Sequence, residues 1–127
     1  MNIDLGLLIL RLGFGGMLLL SHGVSKLTRF SQLSATFPDP LHVGSTFSLT
    51  LTVFAEVVCA VLVMLGLATR LAAVPPAITM MVAAGVIHAA DPFSKKEFPI
   101  LFFLAFVVIA LTGPGRFSLD QMRSRKS

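Results

Sequence analysis

The sequence is poor in charge, in thiols and in polar aromatics. Only 13% of its 127 residues are charged, and it has no Trp, no Tyr and one Cys. The scarcity of charge excludes an ordinary soluble domain, which carries about 25% charged residues. A chain this short buries only part of its surface, yet 55% of its residues are hydrophobic and its mean hydropathy is +0.89. Lipid is therefore the expected solvent for most of it. One thiol, Cys59, excludes an intramolecular disulfide or a CxxC redox pair. With no Trp or Tyr, stacking on a bound ring falls to the phenylalanines. Metal-ligand spacings such as HxxxH or ExxH are missing, as are internal repeats and low-complexity tracts. "MNIDLG" holds no Lys or Arg, so the first apolar run reads as a retained helix rather than a cleaved leader.

What is present is a set of long apolar runs. Crossing about 30 Å of hydrocarbon takes about 20 residues of helix. Candidate spans run from Leu5 to Val24, Phe47 to Ala68, Leu71 to Ala90, and about Glu97 to Gly113 with Phe98 to Thr112 as the apolar part. A lone segment in lipid must satisfy its own backbone hydrogen bonds, so these are helices. The expected fold is all-α: one domain over residues 1–127, a transmembrane four-helix bundle. "ATR" between the second and third spans forces an antiparallel hairpin. Pro75 and Pro76 place the start of the third helix near Val74, since proline is tolerated in a first turn; a kink is the alternative. Leu27, Phe30, Leu33 and Phe37 recur at helical spacing, which predicts a short amphipathic helix lying in the membrane surface and stopped by "PDP" at 38–40.

The net charge of +4 does not point to nucleic acid, because the basic residues flank apolar runs and "RSRKS" closes the chain. Arg70, Arg116, Arg123, Arg125 and Lys126 on one face outnumber Lys26, Arg29, Lys95 and Lys96 on the other. That balance favours both termini in the cytoplasm.

The few ionisable groups inside the spans carry the functional signal, because such groups are costly in lipid. Arg11, Gly15, Leu18 and His22 share one helical stripe, which Lys26 extends by a turn. Thr52, Glu56 and Cys59 share a face of the second span. His88 ends the third, with Asp91 beyond it, and Glu97 opens the fourth. Counting rise per residue puts Glu56 about 12 Å below the mouth of a polar funnel formed by His22, Lys26, His88 and Glu97. Arg11 lies roughly 9 Å deeper and is the expected counter-ion of Glu56. Arg11, His22, Lys26, Glu56, His88 and Glu97 are the candidate binding residues, and Glu56, His22 and His88 the candidates for proton chemistry. A purely structural Glu–Arg lock and metal or haem ligation by the two histidines are the alternatives. Cys59 reads as packing and His42 as solvated.

These segments resemble the DoxX family of small four-helix membrane proteins. "LILRLGFGGMLLLSHGVSKL" carries Arg11, His22, Gly23 and Lys26. "FAEVVCAVLVMLGLATRLAA" carries Glu56, Gly66, Thr69 and Arg70. "VIHAADPF" and "EFPILFFLAFVVIALTGPGRFSLD" follow in order, the last being the most specific. The resemblance implies an integral protein of a prokaryotic (inner) membrane and a subunit of an oxidoreductase system linked to quinones or thiols. It also implies protein partners in a membrane redox complex and a quinone as the molecule contacted. Similar proteins with catalytic cysteine pairs exist; this sequence has none, which argues against an independent thiol oxidoreductase. A small-solute carrier and a structural assembly factor are the competing readings. In "GPGRFSLD", Gly113 to Gly115 end the last span, and an Arg70–Asp120 or Arg116–Asp120 ion pair is expected to pin the tail to the hairpin.

Overall fold

A computed structural model describes residues 2–126; the side chains of Arg125 and Lys126, counted above in the basic tail, lie outside the described residues. The described residues are helical, with connecting turns and no strand. Four long helices dominate: α1 (Asn2–Thr28), α3 (Ser45–Leu65), α4 (Thr69–Ile87) and α5 (Phe93–Thr112). Two short helices complete the order, α2 (Phe30–Leu33) and α6 (Leu119–Lys126). α1, α3 and α4 are long and apolar enough to cross a membrane. α5 is as long, but Lys95, Lys96 and Glu97 occupy its first two turns, and its apolar part begins at Phe98.

The outside of the bundle is what a lipid-facing surface requires. Ile3, Leu20, Leu71 and Leu111 are each more than 70% exposed. The interior is a layer of Leu18, Cys59, Ala60, Val63, Ala73, Phe106 and Ile109. Small residues let the helices approach, as they do where no hydrophobic effect drives helix association. A Cβ on Gly15 would stand 2.7 Å from Met64 Cγ, and one on Gly23 would overlap the Glu56 carbonyl. Arg11, Gly15 and Leu18 form the buried face of α1, the stripe expected from their spacing.

Two sequence expectations change. α4 starts at Thr69, so Pro75 and Pro76 lie inside it; a distant side chain, described below, supplies the helix start that the prolines were expected to provide. The in-plane amphipathic helix shrinks to the single turn Phe30–Leu33, because α1 runs on to Thr28. The chain from Ser34 to Gly44 is irregular and folds back over the bundle.

α1, α3 and α4 each contain a π-helical turn: Leu19–Gly23, Phe54–Cys59 and Ala83–Ile87. A π turn adds one residue to a helical repeat and re-aims the side chains around it, and such turns are frequent at functional sites. The first holds His22, the second holds Glu56, and the third delivers the chain to His88.

Candidate functional site: a polar cavity and an opposing clasp

The polar residues sort into two clusters at opposite ends of the bundle. Arg11 and His22, both on α1, are about 16 Å apart along the axis at 1.5 Å per residue.

The first cluster lies at the end that holds the chain termini. α3 ends in a Schellman motif: Gly66 takes φ 72°, and the Leu67 N–H donates to the Leu62 carbonyl at 2.9 Å. The fully buried Arg11 guanidinium donates to the carbonyls of Val63 (3.3 Å), Met64 (3.2 Å) and Phe117. A cation placed on the last carbonyls of a helix also meets the negative end of its dipole. Arg70 repeats the device on α5, donating to the Thr112 carbonyl at 3.5 Å.

Asp120 does the reverse for α4. Its carboxylate accepts from the Ala68 N–H (2.7 Å), the Thr69 N–H (2.8 Å) and the Thr69 hydroxyl (2.8 Å). Its own N–H donates to the Gly66 carbonyl at 2.8 Å. Partial burial opposes ionisation of Asp120, but the Thr69 and Ala68 hydrogen bonds and Arg123 outweigh it and hold the carboxyl below the usual range. Asp4 takes the Arg116 N–H at 3.0 Å.

Asp120 thus pins the tail to the hairpin as expected, but by capping a helix rather than by pairing with Arg70 or Arg116. Those two side chains form no ion pair with it among the described residues. Arg11 belongs to this clasp, where it closes helix ends, and is not the counter-ion of Glu56. The carbonyls at the end of α3 lie at Arg11's level and hold the guanidinium there.

The second cluster surrounds a cavity of about 440 Å³. His22 and Lys26 reach it from α1, Glu56 and Thr52 from α3, and His88 from the end of α4. Apolar walls come from Leu51, Ile78, Val82 and Ile87, and the roof from Phe37, Pro38, Pro40 and Leu41. Gly23 allows α1 to lie directly against the Glu56 backbone, one turn from Lys26. Lys26 Nζ then donates to Glu56 Oε1 at 2.7 Å, with the Lys side chain 21% and the Glu 3% exposed. The carboxylate is therefore paired inside the bundle, as a buried charge must be.

The hydroxyls around the cavity are committed to the backbone or to the roof. Thr52 donates to the Ser48 carbonyl, Thr79 to the Pro75 carbonyl, and Ser48 to Asp39 Oδ1. Asp39 also accepts from the Val43 and Gly44 N–H groups, so one carboxylate fastens the roof to the start of α3. Its own desolvation is outweighed by these three bonds and by His42, and its carboxyl sits below the usual range.

His22 stands edge-on to Phe102, with ring centroids 6.0 Å apart. His88 Nδ1 meets Asp91 Oδ2 at 2.7 Å. Glu97 is exposed on α5 and does not line the cavity; His42 is exposed in the connecting loop at φ 56°. Cys59 is buried in the core. The described residues contain no cluster of metal-ligating type. Asp39 is the residue of this end that sequence reasoning missed; Asp91 was placed beside His88 but given no role. Asp91 was legible as a carboxylate three residues after a histidine; Asp39 carried no signal beyond its place in "PDP".

A small helical membrane protein with a polar, charge-paired cavity among three broken helices is the class these observations define. The chain belongs to the DoxX family, whose model matches residues 6–89. It is 32% identical to the uncharacterized membrane protein Rv3486 of Mycobacterium tuberculosis, over 88% of this chain and 78% of that one. It is 31% identical to a Bacillus subtilis protein named "Putative oxidoreductase CatD", over 94% of this chain and 87% of that one. No solved structure matches.

Proposed function

We propose that this protein is the ligand-holding subunit of an oxidoreductase assembly in a prokaryotic inner membrane, with both termini in the cytoplasm. The observation that carries the reading is the cavity: apolar walls around the Lys26–Glu56 pair, His22 and His88, at the points where three helices depart from α-helical geometry. Sites for small apolar molecules combine largely apolar walls with a few placed polar groups. The oxidoreductase name of the Bacillus relative points the same way.

The ligand proposed for these walls is a quinone. Leu51, Ile78, Val82 and Ile87 would flank its ring, and Lys26, held by Glu56, and His22 would donate to its oxygens. Such a group, when bound, supplies two-electron, two-proton redox chemistry. The chain's own contribution is to hold and orient the ring, to exclude lipid, and to offer imidazoles for proton exchange at the cavity rim.

The buried layer of Leu18, Val63, Phe106 and Ile109 lies between the cavity and the clasp. That layer favours a dead-end site over a solute path. The test is mass spectrometry of the protein extracted in mild detergent, with its retained small molecules and protein partners. The expected result is a retained quinone-class molecule that disappears in Glu56→Gln while the helical content persists. Retention unchanged in Glu56→Gln, or solute flux through vesicles holding this protein alone, would favour the assembly-factor or carrier reading instead.

A further inference from the structure

The cavity holds several hydrogen-bond acceptors that no group of the protein uses. The threonine and serine hydroxyls are already committed. Glu56 uses Oε1 for Lys26, and Oε2 has no hydrogen-bond partner among the described residues. His88 has Nδ1 against Asp91. A carboxylate accepts only, so Nδ1 carries the hydrogen, and a neutral His88, which lines the cavity, has a bare lone pair on Nε2. A neutral His22 offers one N–H and one lone pair, so the open positions are the acceptors Glu56 Oε2, His88 Nε2 and one His22 nitrogen, and the donors are the Lys26 ammonium and the other His22 nitrogen. A dione can use only the donors and leaves every acceptor unpaired. A dihydroxy form can accept from Lys26 and donate to Glu56 or His88.

We infer that the cavity selects the hydroxyl-bearing, reduced form of its ligand, and that Asp91 is a positioning residue that fixes His88 as an acceptor. This inference rests on the quinone-class reading above. A site built to accept hydrogen bonds rejects an analogue without donors, because its acceptors are then left unpaired. Asp91 is suited to the role. The His88 hydrogen bond is the largest of the effects that hold its carboxyl below the usual range, and Lys95 and Lys96 add to it. The charged or titratable groups that face His88 across the cavity are His22 and Lys26 on α1 and Glu56 on α3.

The experiment is anaerobic equilibrium dialysis of the full-length protein in lipid nanodiscs against 2-methyl-1,4-naphthoquinone and its hydroquinone. It is run at about pH 8.5, above the ordinary imidazole range. The hydroquinone is expected to bind roughly tenfold more tightly. Asp91→Ala should narrow that preference to about twofold, and Asp91→Glu should restore part of it. A second readout needs no ligand: nitrogen NMR of histidine-labelled protein should show His88 with a pyrrole-like Nδ1 and a pyridine-like Nε2, and a tautomer mixture in Asp91→Ala. Equal binding of both forms, tighter binding of the dione, or a His88 with a bare Nδ1 overturns the inference and leaves the quinone reading standing. Binding of neither form removes the reading and the inference together.

Discussion

Removing the Asp120 carboxylate should detach the start of α4 from the tail. Asp120→Ala deletes an acceptor of three hydrogen bonds, two from backbone N–H groups at a helix N-terminus that has no cap of its own. Replacing a capping side chain by Ala costs about 0.5–2 kcal/mol, and hydrogen bonds to a charged group contribute about 1.5–3 kcal/mol each when buried. Asp120 is only partly buried, so solvent replaces some of what is lost, and about 2–3 kcal/mol is the expected net cost. For a domain of this size each kcal/mol moves Tm by about 3–6 °C. The assay is thermal unfolding in mild detergent followed by circular dichroism. Asp120→Asn should fall between wild type and Asp120→Ala, because its amide oxygen still accepts. The effect also has a pH signature. The folded carboxyl is held below its unfolded value, so its stabilisation is fully present above the ordinary carboxylate range. It is lost as pH falls through the lowered folded value. The gap between wild type and Asp120→Asn should therefore close at acid pH. A gap that is constant with pH, or an Asp120→Ala protein with unchanged Tm, would refute the capping account.

Arg11→Lys should destabilise by about 2–4 kcal/mol despite keeping the charge, since one ammonium cannot reach the Val63, Met64 and Phe117 carbonyls together; detergent unfolding midpoints measure this, and a near-neutral result would contradict it. Gly23→Ala should cost about 1–3 kcal/mol by forcing α1 off the Glu56 carbonyl, and in the same protein Lys26 should become more reactive to amine-labelling reagents as its bond to Glu56 breaks. Asp39→Ala should speed hydrogen exchange of the Val43 and Gly44 amides selectively, because their acceptor is gone, while the amides in the core of α4 keep their protection.

Much of this fold is written in its hydropathy, and the site less so. Long apolar runs in lipid have one solution, so the all-helical fold, the hairpin at Ala68–Arg70 and the buried stripe Arg11–Gly15–Leu18 could be read directly. Termini set by distant partners could not. Nothing near Thr69 marks a helix start; its cap, Asp120, is brought in by the turn through Gly113 and Gly115. Phase was the second obstacle. A constant 100° per residue places Arg11 and Lys26 on one stripe, which leaves the partner of Glu56 undecided, and depth counting then chose Arg11. The structure decides for Lys26 because the π turn at Leu19–Gly23 re-phases the end of α1 and Gly23 removes the side chain that would keep α3 away. π turns are a response to packing against neighbours and leave no local mark in the sequence. Glu97 was placed at the mouth by its position at the head of a span, but α5 begins a turn earlier, at Phe93, and presents Glu97 to the outside.

The separation of the polar residues into a cavity end and a clasp end is most directly tested by a distance. Solid-state NMR in lipid bilayers can measure dipolar coupling from the Lys26 side-chain nitrogen and from the Arg11 guanidinium to the Glu56 carboxyl carbon. Strong coupling to Lys26, as a 2.7 Å Nζ–Oε1 contact requires, with none to Arg11, is the result expected here. Strong coupling to Arg11 with none to Lys26 would contradict it and collapse the two clusters into one.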